Sequence, residues 1–86
     1  MTNSNEDLPI DSLSKHVTLT LDAYFNTLEE EVPTDVFHLV TSQVEKPMIE
    51  FILDKTNYNQ SKTADILGIN RNTLRKKIQQ YQITKP

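Results

Sequence analysis

The sequence predicts an all-α protein of four helices, two in its body and two short ones forming a helix-turn-helix at its end. Three observations carry this. Apolar residues recur every three or four positions through the first two runs, the spacing of one helix face. Residues that cap or break helices separate the runs, namely Pro33 with Thr34 and Asp35, then Asn59, Gly68 and Asn70. The last two runs are short and flank Gly68, the only glycine in the chain.

At 86 residues the chain has room for one small domain, near the lower limit at which a single chain buries enough apolar surface to fold alone. It has no cysteine, so packing rather than disulfides must hold it together, and a thiolate metal site or cysteine nucleophile is excluded. This composition fits a reducing compartment. The N-terminus "MTNSNEDLPIDS" has neither the cationic start nor the apolar core of a signal peptide, and the apolar runs are too short and charge-broken to span a membrane. The expected location is the cytoplasm.

The net charge of -3 hides an asymmetry. Residues 1–54 carry two cations against eleven acids, net -9, whereas residues 55–86 carry seven cations against Asp65 alone, net +6. Charge fields are screened within about 10 Å in salt, so an acidic whole does not prevent the basic end from meeting a polyanion. Four of the nine Lys and Arg residues lie in "ILGINRNTLRKKIQQY", Ile66 to Tyr81.

The first helix is expected from Leu13 to about Glu29, with Leu13, Val17, Leu21, Tyr24, Phe25 and Leu28 on its apolar face and Asp11 or Ser12 as its cap. Glu29, Glu30 and Glu31 sit badly at the negative end of the helix dipole and help to end it. Residues 1–12 form a flexible acidic arm before it. A second helix runs from about Val36 to Lys55. Its segment "PMIEFILDK" is apolar on more than one side, since Met48, Ile49, Phe51, Ile52 and Leu53 cannot all point one way. The economical burial is against the same helix of a second copy, with Val40, Val44, Met48, Phe51 and Ile52 as the dimer core. Pro47 falls inside this helix; no good cap or stop residue surrounds it, so one helix kinked at Pro47 is expected rather than two.

Asn59 caps a third helix from Gln60 to Leu67, Gly68 makes the turn, and Asn70 caps a fourth from Arg71 to about Gln82, with Leu74, Ile78 and Tyr81 inward. Ala64 allows close approach of the two helices and Leu74 anchors the second, which is the pattern of a helix-turn-helix over residues 57–86. The second helix of such a motif enters the major groove of DNA N-terminus first, so its leading residues reach base edges. Arg71 is suited to guanine O6 and N7, and Asn70 and Asn72 to base edges. Thr73, Arg75, Lys76 and Lys77 suit phosphates, and Asn59, Ser61 and Lys62 can clamp the flanking backbone. Asn59 and Asn70 serve equally well as plain helix caps, and Lys77 and Lys85 as solvated cations.

Enzyme chemistry has little support. His16 and His38 are solvated helix residues by position, "EEE" lacks a paired nucleophile, and there is no phosphate-cradling glycine loop. Neither cofactor nor metal is expected. The alternatives to a DNA-binding regulator are a protein-interaction module or a recombination accessory factor, either with an incidental basic C-terminus.

The segments "NYNQSKTADILGINRNTLRKKIQQY", "VEKPMIEFILDKT" and "LDAYF" resemble the Fis family of bacterial nucleoid-associated proteins, with "GINRNTLRKKI" the specific part. The resemblance implies an intertwined homodimer whose core comes from the first two helices of each chain, residues 13–56. It also implies sequence-tolerant DNA bending, guanine reading by Arg71, a supporting contact from Asn70, and phosphate or groove contacts from Asn59, Ser61, Thr73, Arg75 and Lys76. Double-stranded DNA and a second copy are the expected partners, with RNA polymerase a further one and neither membrane nor small-molecule ligand. The chain departs from better known members at Tyr58, where they carry glycine, and at Gln79 and Gln80, where they carry lysines. Its N-terminal stretch is shorter and more acidic than their recombinase-stimulating arm.

Overall fold

The computed structural model of the chain describes residues 12–86, so residues 1–11 of the expected acidic arm, with the candidate cap Asp11, lie outside the described residues. Four helices follow in order, α1 (Leu13–Leu28), α2 (Val36–Lys55), α3 (Gln60–Leu67) and α4 (Arg71–Gln80), and the described residues include no strand. They fall into two compact units, one ending at Val36 and the other spanning Phe37–Pro86.

In the first unit α1 has no buried residue; Val17, Leu21, Tyr24 and Leu28 are half-buried, while Leu13, Leu19 and Phe25 are exposed. The expected side-chain cap from Ser12 is not made. Its backbone, at φ -97° and ψ -2°, is already near-helical rather than extended, which removes the geometry that aims a cap oxygen at the first free N–H groups. Its carbonyl instead lies 2.9 Å from Nδ1 of His16.

In the second unit α2 is continuous through Pro47. Proline removes the helical donor to the carbonyl four residues back, that of Gln43, but both residues are exposed, so water can satisfy that carbonyl. The apolar second half of α2 divides by face. Ile49 and Leu53, one turn apart, are buried with Ala64, Leu74 and Ile83 in the core, whereas Met48 and Phe51 remain 45% and 60% exposed and Val40, Val44 and Ile52 half-buried. Thr63 is the buried polar residue, and its Oγ1 shares a hydrogen bond of 2.8 Å with Oγ1 of Thr56, tying α3 to the end of α2.

All three helices of this unit close the same way. A left-handed residue follows each helix, Asn57 (φ 55°), Gly68 (φ 76°) and Gln82 (φ 53°), and sends the next N–H back into the last turn. Those return bonds run from Tyr58 N–H to Leu53 at 2.7 Å, from Ile69 to Ala64 at 3.0 Å and from Ile83 to Ile78 at 3.0 Å. In each case the residue that turns back is apolar and joins the core. This closure ends α4 at Gln80, two residues short of the expected end, because Gln82 takes a conformation more typical of glycine or asparagine.

A Cβ added at Gly68 would meet nothing within 4 Å, so the cost of alanine there is conformational alone. Gly68→Ala should lower stability by about 1 kcal/mol, measured as a reduced urea midpoint with an unchanged slope.

Candidate nucleic-acid interface

The first turns of α3 and α4 are set by matching caps. The Asn59 side-chain oxygen accepts from the Lys62 N–H at 3.0 Å, and the Asn70 oxygen from the Asn72 N–H at 2.7 Å. Both asparagines therefore act as caps, the amide nitrogen of each being a donor that the cap does not use. Leu74 is fully buried, and Ile78 and Tyr81 are packed against the core. That anchoring turns the other side of α4 outward, leaving Arg71, Asn72, Thr73, Arg75 and Lys76 exposed, as are Asn59, Ser61, Lys62 and Asn70 at the caps and first turn of α3.

One contact joins the two first turns. Nη1 of Arg71 donates to Oγ of Ser61 at 3.2 Å, bringing the candidate base-reading residue against a candidate phosphate ligand from the neighbouring helix.

Lys77 differs from the other cations. It is half-buried, and its Nζ donates to Oε1 of Glu45 on α2 at 2.9 Å. The hydroxyl of Tyr81, which immediately follows α4, donates to the same oxygen at 2.5 Å. Lys77, expected to suit a phosphate, makes an internal pairing in the folded chain, because its position lies on the same side of α4 as Tyr81. Sequence reasoning missed Glu45 altogether; the two partners lie 32 and 36 residues away, and no local pattern announces such a pair.

Hydrogen bonds from Tyr81 and Lys77 hold the Glu45 carboxyl below its ordinary range, and the same carboxylate pushes the Tyr81 phenol up. The stabilisation from Glu45 is therefore present above the ordinary carboxylate range and is lost as pH falls through its lowered folded value. That from Tyr81 is present below the ordinary phenol range and is lost as pH rises through its raised one. Glu45→Gln should consequently flatten the decline in urea midpoint as pH falls from the ordinary carboxylate range through the lowered folded value of Glu45. An unchanged pH profile would mean that the pairing contributes nothing to stability.

The chain is similar in sequence to known bacterial proteins. A family model described as bacterial regulatory protein, Fis family, matches residues 41–81. A Fis-like DNA-binding protein of Ralstonia nicotianae is 47% identical over 62 residues, covering 72% of this chain and 80% of the relative. The DNA-binding protein Fis of Actinobacillus succinogenes is 40% identical over 79 residues, covering 92% of this chain and 80% of the relative. That of Mannheimia haemolytica is 42% identical over 69 residues, covering 80% and 70%.

The chain belongs to the Fis family.

It is an all-α, helix-turn-helix member of that family of bacterial regulatory proteins, which are not enzymes. The segment matched to the Fis family begins inside α2 and ends at Tyr81, so it contains Glu45, Lys77 and Tyr81 as well as the whole exposed face of α3 and α4. Three residues that the sequence singles out gain a location. Tyr58 sits at φ 63° and packs against the core, and Gln79 and Gln80 are exposed on the last turn of α4. No helix among the described residues is long and apolar enough to cross a membrane.

Proposed function

We propose that the chain is a homodimeric DNA-binding and DNA-bending regulator of transcription, acting on the nucleoid without catalysis. The observation that supports this best is the meeting of Arg71 and Ser61, which puts the first turns of α3 and α4 on one exposed edge. Helix α4 enters the major groove by its N-terminus, Arg71 reads guanine, and Asn70 and Asn72 contact base edges or the adjoining backbone. Asn59, Ser61, Lys62, Thr73, Arg75 and Lys76 hold phosphates and fix the register.

The second copy covers Val40, Val44, Met48, Phe51 and Ile52, an apolar side of α2 that its own unit leaves partly open, with Met48 and Phe51 exposed and the others half-buried. Residues 13–56 supply the dimer and residues 57–86 the DNA contacts, although the end of α2 also belongs to the core beneath α3 and α4. Sequence tolerance follows from few base contacts and many phosphate contacts, specificity being completed by the deformability of the DNA. RNA polymerase is the further partner on this reading.

A fluorescence titration of the full chain against a 25-base-pair duplex at several salt concentrations tests this. Binding should occur at two chains per duplex, and Lys76→Ala should weaken all sequences and reduce the salt slope by about 1. No binding to a random duplex at ~10 μM and low salt would overturn the proposal and favour a protein-interaction module, since non-specific affinities of DNA-binding proteins lie at about 10⁻⁴ to 10⁻⁶ M even at physiological salt.

A further inference from the structure

We infer that Ser61 is a positioning residue for Arg71, and that its hydroxyl sets how strongly this interface discriminates guanine. The inference rests on the reading of Arg71 as the base-contacting residue and deepens it.

Arg71 is the first residue of α4 and its side chain is exposed, so several rotatable bonds must be ordered before the guanidinium can make two parallel hydrogen bonds to a base. The bond from Nη1 to Ser61 Oγ, at 3.2 Å, orders part of that chain before any partner arrives. Ser61 is a firm place to hold it. Two residues before it Asn59 caps α3 through the Lys62 N–H at 3.0 Å, and two residues after it the fully buried Thr63 is bonded to Thr56 at 2.8 Å. The short serine side chain has one rotor between the ordered backbone and Oγ, whereas Arg71 has four before its guanidinium.

The chemistry of the hydroxyl supplies the second part of the argument. A serine oxygen accepts through two lone pairs and donates one proton. With Arg71 donating into Oγ, the proton is free to be given to a phosphate oxygen. A single hydroxyl thus joins a phosphate contact to a base contact: the phosphate fixes the hydroxyl, and the hydroxyl fixes the direction of the guanidinium. Ser61 acts on base discrimination through Arg71, without reaching a base itself.

The test uses the full chain and a duplex selected by the wild-type protein from a random library. The same duplex is also made with 7-deazaguanine at the guanine whose replacement costs the wild type most; this base still pairs but lacks the N7 acceptor. The quantity read is the ratio of the two dissociation constants. Ser61→Ala should shrink that ratio by about threefold or more, a measurable part of the discrimination that a paired arginine supplies. Ser61→Thr, which retains the hydroxyl, should keep the wild-type ratio. Loss of affinity by an equal factor on both duplexes in Ser61→Ala, with the ratio intact, would overturn the inference and leave the hydroxyl a phosphate ligand alone. Arg71→Ala separates the two levels. A collapsed ratio in Arg71→Ala beside an intact one in Ser61→Ala sinks only the role of Ser61, whereas an intact ratio in Arg71→Ala sinks the base-reading assignment itself.

Discussion

Leu74→Ala should destabilise the chain by about 2–5 kcal/mol, the range for removing a fully buried leucine and leaving a cavity. Leu74 is 0% exposed and is the one fully buried residue of α4, so its loss loosens α4 from Ile49, Leu53 and Ala64. A chain of 86 residues has a total stability of roughly 4–13 kcal/mol, so this one substitution removes a large share of it. Ile66→Ala is the control, because Ile66 is 60% exposed and should change stability by no more than about 0.5 kcal/mol. Urea denaturation of both variants decides the matter; equal midpoints would contradict the placement of the core.

Arg71→Ala should cost about 1–3 kcal/mol of preference for the guanine-containing site, with a much smaller effect on random duplex. The expected contrast with Lys76→Ala is qualitative. Lys76 is a point charge on an exposed turn, so its removal weakens every sequence alike, whereas Arg71 carries a planar fork that matches O6 and N7 of one base. Competition of a selected site against random duplex, at fixed salt, reads both numbers. An Arg71→Ala protein that binds its selected site unchanged would remove the groove assignment.

Much of this was legible in the sequence because its signals are local. The start and end of α2, the full extent of α3 and the caps at Asn59 and Asn70 all follow from residues within a few positions of one another. Where the sequence reading fell short, the deciding interaction was non-local or the residue type was atypical. Glu45 reaches Lys77 and Tyr81 only after α2 and α4 have packed together. The end of α4 was misplaced because Gln82 does not look like a left-handed residue, and only the return of Ile83 to the core explains why it becomes one. Ser12 is a cap by residue type, but the chain enters α1 with near-helical backbone angles and its side chain makes no capping hydrogen bond.

The division of α2 into two sides has a consequence for how this sequence can vary in length. Glu45, Ile49 and Leu53 stand in one row along the helix and serve α4 and the core, while Val44, Met48 and Ile52 stand in the row immediately beside it and do not. The rows differ by a single step in the sequence, which is about 100° of rotation around the helix axis. One residue inserted or deleted between Val40 and Glu45 would therefore rotate the upstream apolar side out of phase with the downstream one. The helix tolerates changes of residue type far better than changes of count, and its length carries information in the way a reading frame does.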